Sequence, residues 1–364
     1  MLNILIPLAG KSTFAVTEKN PYPKILSDVE GKLLIERAAQ PFSALECEKK
    51  ITVVIPEVQA SKYKLNKVIG LLDDEVNIFS LSADTRGAAC SCLLALEALD
   101  LDEPLVISSF EQVLDLDLRK FITEFERQKV DAGVLTFEAI HPKWSFVKTD
   151  SEGFVVQAAE KTPISKQAIA GFYYFRKARD FVEAAKDMIR KDVKHNETYF
   201  VSPCLNEIIL KERKVLALPI DKSHYFHIQD QHALEVYEER MTLKAQEAKA
   251  SVRERTQEYV KAFNTKSMLD VATLMAPNFH LVDTSVSIKG REKVLEYIKS
   301  IFKKYDELEF KAKSIVCEGY QSVIEFELTL DTLKLVGTDV IAWNDEGEMV
   351  KLDAYLYEVA GEEV

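Results

Sequence analysis

The chain has 364 residues, and at about 150 residues per domain this length predicts two or three domains. Hydrophobic residues make up 47% and charged residues 29%, with 12 Gly and 11 Pro, a balance that excludes bulk disorder and low-complexity architecture. The net charge of −12, without a basic run, argues against nucleic-acid binding. No stretch approaches the ~20 apolar residues of a membrane helix. The opening MLNILIPLAGK is typical of a first β-strand rather than a signal peptide, so we expect a cytoplasmic location.

Cysteine and histidine do not suggest a metal or redox site. The cysteines are odd in number and scattered, which is typical of reduced structural thiols. They are Cys47, Cys90, Cys92, Cys204 and Cys317. The six histidines are too dispersed along the chain for a zinc cluster.

The first 230 residues or so alternate strand-like and helix-like segments. The strand-like segments are 3–7, 51–56, 76–81, 104–108 and 132–137. The helix-like segments are 33–45, where Pro41 ends or kinks the helix, 62–72, 88–99 and 118–129. This alternation predicts an α/β domain with a doubly wound, mostly parallel sheet. Ligands of such sheets bind outside the carboxyl ends of the strands, so we expect the site in the loops after Pro7, Leu81 and Ser108.

A change of pattern marks a second domain. Residues 232–263 are charged, rich in helix formers and free of Gly and Pro, which predicts one long helix or two abutting helices. Beyond it, helices over 268–274 and 291–304 precede strand-like runs at 310–317, 322–330, 332–343 and 348–358. This order is typical of an α+β module with an antiparallel sheet. We therefore expect domains over 1–240 and 263–364, joined by a connecting helix over 241–262.

Four segments of the first domain carry residues suited to phosphate chemistry. Small residues after a strand, as in 6–26 and 84–89, let backbone N–H groups approach phosphates, and Lys24 after a proline can direct a cation at them. Carboxylates after the strand at 104–108 could hold Mg²⁺. The alternatives are local: Thr85 as part of a helix start, and Asp115 and Asp117 as helix caps. The fourth segment, 141–175, contains HPKWSFV, EKTPIS and AIAGFYYF.

These segments together resemble sugar-phosphate nucleotidyltransferases, a GT-A-like family. The resemblance lies in the strand, nucleotide loop and Pro-Lys pair of residues 6–36, the second loop at 85–89, and the motifs EKTP at 160–163 and AGFY at 170–173. The HPKWSF run, with NETYF at 196–200 and LNE at 205–207, resembles a branch found with capsule and surface-polysaccharide genes. The resemblance covers about residues 1–240.

The resemblance implies attack of a sugar 1-phosphate, or a similar phosphomonoester, on an NTP, with release of pyrophosphate and participation of Mg²⁺. The residues implied for nucleotide binding are Leu8, Ala9, Gly10, Ser12, Thr85, Arg86 and Gly87. Those implied for the acceptor are Glu160, Lys161, Gly171 and Tyr173, where Gly171 would allow close approach of the backbone. The implied catalytic residues are Lys24, Lys11 and Glu111, and the implied metal ligands are Glu111 and His227.

The sequence departs from the family on the nucleotide and metal side. The loop at 10–14 has Lys11 and no arginine, the first metal-binding Asp falls on Glu111, and the second falls near His227, although a neutral imidazole is a poor ligand for Mg²⁺. Two alternatives therefore remain beside the enzyme. One is a divergent ligand-binding or scaffolding protein of the same pathway, and the other is a glycosyltransferase using an Asp-x-Asp motif at 115–117.

The second domain resembles the ketosteroid-isomerase-like, or SnoaL-like, cone-shaped fold over residues 251–359. The resemblance rests on the order of helices and strands, and it implies an enclosed pocket. Asp283 is the candidate general base, with His280 and Asp353 nearby by pattern. The alternative is that Asp283 caps a turn and His280 packs on the sheet. We expect an oligomerisation or accessory module, and hence a homo-oligomer.

Overall fold

The structure is a computed structural model that describes residues 1–10, 13–16, 21–73 and 76–358. Two expected site residues, Lys11 and Ser12, lie outside these ranges. The chain divides into two compact units, residues 1–238 and 239–364, and a separate cluster of buried side chains forms a core in each.

Within the described residues, the first unit contains one large mixed sheet and two small two-stranded sheets. Its strands are β1 (Leu2–Pro7), β2 (Asp28–Val29), β3 (Lys32–Leu33), β4 (Lys49–Pro56), β5 (Val76–Leu81), β6 (Leu105–Ile107), β7 (Gln112–Leu114), β8 (Ala132–Glu138), β9 (Phe146–Thr149), β10 (Val155–Ala159), β11 (Gln167–Phe175), β12 (Val215–Pro219) and β13 (Tyr225–His227). Its helices are α1 (Leu34–Ser43), α2 (Glu57–Tyr63), α3 (Leu65–Ile69), α4 (Ala88–Leu94), α5 (Leu118–Arg127), α6 (Ala178–Arg190) and α7 (Cys204–Ile209).

The expected doubly wound, mostly parallel sheet is confirmed. Nine strands of the described ranges form it: seven follow the order β10-β9-β11-β6-β1-β4-β5, β8 pairs with β11, and β12 pairs with β8. The pairs β2–β3 and β7–β13 form two separate small sheets. β1 runs parallel to β4 and β6, and β4 runs parallel to β5. β11 is antiparallel to β6, β8 and β9. Because β1, β5 and β6 are parallel, their carboxyl ends meet at one edge of the sheet.

Two expected helices differ from the structure. The helix expected over 62–72 is split, because Lys64 adopts a left-handed conformation with φ of 53° and separates α2 from α3. The helix expected over 88–99 ends at Leu94 and is followed by a short 3₁₀ turn. Pro41 lies inside α1, which ends two residues later at Ser43, as expected of a proline near a helix end.

The second unit is a curved sheet with helices packed against it, as expected. The strands are β14 (Met275–Val282), β15 (Ser287–Lys289), β16 (Leu308–Glu318), β17 (Gln321–Leu330), β18 (Leu333–Trp343) and β19 (Met349–Glu358), in the order β15-β14-β19-β18-β17-β16. The helices are α9 (Met268–Thr273) and α10 (Arg291–Lys304). The pairs β16–β17, β17–β18 and β18–β19 are antiparallel, and β14 is parallel to β19. Alternate residues of β17 and β18 are buried, which places one face of the sheet on the core.

A single helix crosses the division between the units. The helix α8 (Gln231–Asn264) has 34 residues and confirms the long helix expected over 232–263. Its first turns bury Leu234 and Tyr237, and its later turns bury Val252 and Tyr259. No helix in the described part of the chain combines the length and apolar character needed to span a bilayer.

Candidate functional site

A cavity of about 430 Å³ lies where the carboxyl ends of β1, β5 and β6 meet. Eight of the expected residues, from both the nucleotide side and the acceptor side, line this same cavity. They are Ala9, Gly10, Thr85, Gly87, Glu111, Glu160, Gly171 and Tyr173. The cavity is also lined by side chains that sequence analysis did not single out, namely Ser91, Ser108, Ser109, Ser145 and Thr198.

The loop at residues 85–89 packs against, and is hydrogen-bonded to, the chain segment that follows α6. Gly87 has φ of +119°, and a Cβ on it would lie 2.5 Å from the carbonyl oxygen of Tyr199. The N–H of Tyr199 donates to the carbonyl of Arg86 at 2.7 Å. The hydroxyls of Thr85 and Ser91 lie 2.7 Å apart, so Thr85 takes part in the start of α4, as in the local alternative. Glycine at 87 is thus required by a close backbone approach inside the protein.

The carboxylate of Glu160 is held in place from two sides. Its Oε2 accepts hydrogen bonds of 2.5 Å from the hydroxyls of Ser145 and Ser202. Tyr173 lines the cavity beside it, and burial, reinforced by the charge of Glu160, raises the pKa of Tyr173 far above its ordinary value. The phenol therefore stays protonated and available to donate a hydrogen bond. Ser145 stands in the quoted HPKWSF run, whereas no local pattern marks Ser202.

Gly171 lies against the buried side chain of Gln112. A Cβ on Gly171 would lie 2.1 Å from Oε1 of Gln112, and Gly171 has φ of +60°. The Gln112 side chain is buried and donates to the carbonyls of Ala170 and Gly171 at 3.2 and 2.9 Å. Glycine at 171 therefore makes room for Gln112, and its backbone also lines the cavity, where close approach of an acceptor stays a prediction.

Lys24 and Glu111 meet beside the cavity. Lys24 begins a short 3₁₀ turn after Pro23 and is 7% exposed. Its Nζ donates to the carbonyl of Gln229 at 2.6 Å and lies 3.3 Å from Oε1 of Glu111. That Oε1 is buried and accepts no hydrogen bond from the described residues. The expected convergence of Lys24 and Glu111 is therefore present, with the ammonium paired to the carboxylate.

His227 lies next to this pair. It stands on β13 opposite Gln112 of β7, and its ring contacts the Trp144 ring at a centroid distance of 5.1 Å. Burial, together with the charges of Lys143 and Lys24, lowers the pKa of His227 to about 4. Its imidazole is therefore neutral at neutral pH, and its buried Nδ1 has no hydrogen-bond partner among the described residues.

The donor set does not fit the expected Mg²⁺. The described ranges contain no group of three His, Cys, Asp or Glu side chains placed to hold a metal ion. Of the two expected ligands, Glu111 faces an ammonium and His227 presents a neutral imidazole, whereas Mg²⁺ prefers several oxygen ligands. The expected pairing of Glu111 and His227 as magnesium ligands is therefore not supported by their surroundings.

Three further expected residues do not line the cavity. The side chain of Leu8 is fully buried and its N–H pairs with the carbonyl of Val54. The carbonyl of Arg86 accepts from Tyr199. The ammonium of Lys161 lies 5.0 Å from the ring centroid of Phe200, and Phe200 lines the cavity.

The Asp-x-Asp run at 115–117 has a structural role. Asp117 caps α5, because its carboxylate accepts the N–H of Arg119 at 3.1 Å. The N–H of Asp115 donates to the carbonyl of His224 at 2.9 Å. Asp117 therefore follows the capping alternative, and neither residue of the pair lines the cavity at the strand ends.

The second unit contains a pocket of about 520 Å³ with a largely apolar lining. Asp283 lines it, but its Oδ1 accepts the N–H groups of Ser285 and Val286 at 2.6 and 2.7 Å, which is the turn cap of the alternative interpretation. The Tyr297 hydroxyl donates to the other oxygen at 3.1 Å. Asp283 is thus both a cap and a pocket residue.

Neither His280 nor Asp353 is among the described residues that line this pocket, although Asp353 of β19 lies opposite Val282, the neighbour of Asp283, in the register of β14 and β19. His280 contacts the Ser287 hydroxyl at 2.9 Å, and Asp353 pairs with Lys351 at 2.8 Å. A further carboxyl of the pocket lining is Asp339, which is 4% exposed and whose pKa burial raises to about 7. Side chains of β18 alternate between the two faces of the sheet, and Asp339 lies on the same face as the buried Ile341 and Trp343. This alternation is the sequence signal that could have identified Asp339 as buried.

Comparisons with known proteins agree with this division. Residues 256–352 match the family model of the SnoaL-like domain. Solved structures that resemble the first part include a nucleoside-diphosphate-sugar pyrophosphorylase from Vibrio cholerae RC9, with 20% identity, a TM-score of 0.57, and coverage of 66% of this chain and 100% of that one. A UDP-glucose pyrophosphorylase complexed with UDP-glucose has 17% identity, a TM-score of 0.53, and coverage of 66% and 98%. No curated protein sequence matches the chain. The first part therefore has the fold of sugar nucleotidyltransferases, and the second contains a SnoaL-like domain.

Proposed function

We propose that the first unit is a nucleotidyltransferase. It joins an NTP to a sugar 1-phosphate or a similar phosphomonoester, and its product serves capsule or surface-polysaccharide synthesis. The observation that carries the proposal is the single cavity lined by both expected sets of residues, with Gly10 and Thr85 on one side and Glu160 and Tyr173 on the other.

The proposed reaction is a direct displacement. A phosphate oxygen of the acceptor attacks the α-phosphorus of the NTP, the bond from that phosphorus to the α–β bridging oxygen breaks, and pyrophosphate leaves with the electron pair. No covalent intermediate with the protein is needed, so positioning and charge stabilisation supply the rate. Lys24 would stabilise the negative charge on the leaving pyrophosphate, and Lys11 is proposed to assist Lys24.

On the acceptor side, Glu160 would accept hydrogen bonds from sugar hydroxyls. Its Oε2 already accepts from two serines, which fixes the carboxylate and leaves Oε1 to a ligand. The protonated Tyr173 would donate to an acceptor oxygen, and Lys161 is proposed to contact the acceptor phosphate. No side chain of the described residues is assigned to Mg²⁺ here, because the donor set beside Glu111 does not fit the ion.

The test is pyrophosphate release by the full chain. Each of the common NTPs is incubated with a panel of hexose 1-phosphates, with and without Mg²⁺. We expect release with at least one pair, and a loss of about 10²-fold or more in Lys24→Met, because a preorganised charge on a transferring phosphoryl group is worth roughly that much. Lys120→Met is the matched control, because Lys120 is an exposed side chain of α5. Absence of release from every pair would contradict the proposal.

The divergent, non-catalytic ligand-binding protein is the second candidate. It is favoured by the double engagement of the Lys24 ammonium with Glu111 and Gln229, which holds the cation inside the protein. Binding of a hexose 1-phosphate by calorimetry, without pyrophosphate release from any NTP, would favour this candidate. In that case Glu160→Gln is expected to weaken binding while Lys24→Met leaves it unchanged.

For the second unit we propose an oligomerisation or accessory module. Val316 of β16 and Tyr355 of β19 are 62% and 60% exposed on the face of the sheet opposite the core. Apolar side chains on an open sheet face are suited to pairing with a second copy of the chain.

A further inference from the structure

One short segment contacts both sides of the cavity in the first unit. It consists of residues 198–202, between α6 and α7, and we call it the bridging segment. Three of its residues line the cavity, namely Thr198, Phe200 and Val201. The other contacts of the segment reach the loop at 85–89 on one side and Glu160 on the other, as follows from the hydrogen bonds of Tyr199 and Ser202.

Towards the loop at 85–89, the bridging segment is joined through the backbone of Tyr199. The N–H of Tyr199 donates to the carbonyl of Arg86 at 2.7 Å, and the N–H of Ala89 donates to the carbonyl of Tyr199 at 3.2 Å. A Cβ on Gly87 would lie 2.5 Å from that Tyr199 carbonyl oxygen and 2.7 Å from Cγ2 of Thr198. The loop and the bridging segment are therefore packed without space between them, so a change in the loop must move the segment.

Towards the acceptor side, the bridging segment is joined through Ser202. The Ser202 side chain is fully buried, and its hydroxyl donates to Oε2 of Glu160 at 2.5 Å. Glu160 lines the cavity, whereas Ser202 is absent from the described residues that do so. Ser202 can therefore act on a bound acceptor only through the carboxylate of Glu160.

Both ends of the bridging segment are fixed. At the first end, His195 and Thr198 each donate an N–H to the other's carbonyl at 3.0 Å, and the turn at 196–197 between them has positive φ values of 47° and 60°. At the second end, the N–H of Leu205 donates to the carbonyl of Ser202 at 3.1 Å, at the start of α7. Non-glycine residues in this left-handed conformation cost free energy and are concentrated at functional sites.

We propose that Ser202 is a positioning residue for the acceptor, and that the bridging segment makes acceptor binding depend on the position of the loop at 85–89. Ser202 and Ser145 both donate to Oε2 of Glu160, which fixes the carboxylate and leaves Oε1 for the acceptor. Displacing the loop displaces the Tyr199 backbone and hence Ser202, because packed and hydrogen-bonded groups carry coupling between sites. The proposal rests on the proposed function only for the identity of the acceptor.

The first experiment removes the Ser202 hydroxyl. Binding of the 1-phosphates of glucose, galactose and mannose to the full chain is measured by calorimetry without NTP, and NTP binding is measured separately. In Ser202→Ala we expect sugar phosphate binding to weaken about 3- to 10-fold, the range for one hydrogen bond, because Glu160 is then less well oriented. The affinity for NTP is expected to stay unchanged.

Ser43→Ala is the matched control for Ser202→Ala, because the Ser43 hydroxyl donates to the carbonyl of Leu72 and lies outside the cavity lining. It is expected to bind both ligands like the wild type. Three results would overturn the proposal: no sugar phosphate binding by the wild type, unchanged binding in Ser202→Ala, or an equal weakening of sugar phosphate and NTP in that variant.

The second experiment displaces the bridging segment from the side of the loop. Gly87→Ala places a methyl group against Tyr199, so we expect it to weaken sugar phosphate binding even when no NTP is present. In a Ser202→Ala background the same substitution is expected to have little further effect, because the connection to Glu160 is already lost. Unchanged sugar phosphate binding in a folded Gly87→Ala protein would overturn the proposed dependence on the loop.

Gly31→Ala is the control for Gly87→Ala, because Gly31 also has a positive φ but nothing lies within 4 Å of a Cβ placed on it. It is expected to bind sugar phosphate like the wild type. The thermal unfolding midpoint shows whether Gly87→Ala is folded. If that variant is unfolded, the result for Ser202→Ala decides the proposal alone.

The two proposals fail separately. If sugar phosphate binding responds to Ser202→Ala as expected while no NTP and acceptor pair releases pyrophosphate, the proposed enzyme falls and the role of Ser202 stands. If pyrophosphate is released but Ser202→Ala lowers kcat with an unchanged KM for the acceptor, the enzyme stands and the positioning role falls.

Discussion

Gly87 holds a backbone conformation that side chains rarely adopt, and it is packed against a neighbouring segment as well. Its φ is +119°, and a Cβ would lie 2.5 Å from the Tyr199 carbonyl oxygen, which cannot move as a flexible side chain would. We expect Gly87→Ala to reduce the free energy of unfolding by about 2–4 kcal/mol, combining backbone strain with a steric clash. Chemical denaturation measures this loss.

Gly31 is the matched control for Gly87. It also has a positive φ, +74°, but nothing lies within 4 Å of a Cβ placed on it. Gly31→Ala is expected to reduce the free energy of unfolding by only about 1 kcal/mol, because backbone strain at a positive φ is its one cost. Equal losses in the two variants would show that the contact with Tyr199 does not constrain position 87.

Asp339 makes the stability of the second unit dependent on pH. Its ordinary pKa is 3.8, and burial raises the pKa in the folded protein to about 7. Between these values the folded state binds more protons than the unfolded state, so stability is complete below about pH 4 and falls as the pH rises through 7. Asp339→Asn is expected to remove this decline, worth up to roughly 4 kcal/mol at pH 8.

Tryptophan fluorescence can report this unit alone. The chain has two tryptophans, and Trp343 belongs to the core of the second unit. In a Trp144→Phe background, denaturation is followed by the fluorescence of Trp343 at several values between pH 5 and 8. The measurement gives the change in the free energy of unfolding with pH, and Asp283→Asn serves as the control. A slope that persists in Asp339→Asn would assign the pH dependence to another group.

At the residue scale, motifs predicted the cavity lining but not the contacts that hold it. Ala9, Gly10, Glu160 and Tyr173 follow from short motifs that stay local in the chain. The hydrogen bond from Ser202 to Glu160 joins residues 42 positions apart, and no local pattern encodes such a pairing.

The side chain of Gln112 connects three strands. Gln112 stands at the start of β7, its amide donates to carbonyls of β11, and its Oε1 accepts from the Tyr225 hydroxyl of β13 at 3.1 Å. Gly171→Ala is expected to destabilise the protein by about 2–4 kcal/mol, because the new Cβ overlaps Gln112.

A double-mutant cycle tests this contact. In a Gln112→Ala background the overlap is gone, so Gly171→Ala is expected to cost only the strain of its φ of +60°, about 1 kcal/mol. The coupling is read from chemical denaturation of the four proteins. Additive losses would show that Gly171 is constrained by something other than Gln112.

At the scale of elements, hydrophobic periodicity predicted the parallel strands β1, β4, β5 and β6 and the long helix α8. These elements bury continuous or periodic apolar faces, which the sequence displays directly. The break at Lys64 was not predictable, because a lysine in a left-handed conformation carries no local signature. The short pair β7 and β13 was also missed, since three-residue strands joined over more than 100 positions depend on tertiary packing.

The whole chain is expected to form a dimer through the outer face of the second unit. Light scattering after gel filtration should give twice the chain mass, and replacing Val316 and Tyr355 together by Asp should give the single-chain mass, because two charges would be buried against the partner. Leu269→Asp, at a position that is 75% exposed on α9, is the control. A wild-type chain of single mass would remove the oligomerisation role.

The helix α8 means that no loop marks where one half of the protein ends and the other begins. Between Tyr237 and Val252 it contains no buried residue, yet it continues without interruption. A gene truncation or a protease cut there would sever a hydrogen-bonded cylinder and leave four carbonyls on one fragment and four amides on the other without partners. Each half expressed by itself would therefore begin or end on a frayed helix end, and a capping residue introduced there should stabilise the fragment.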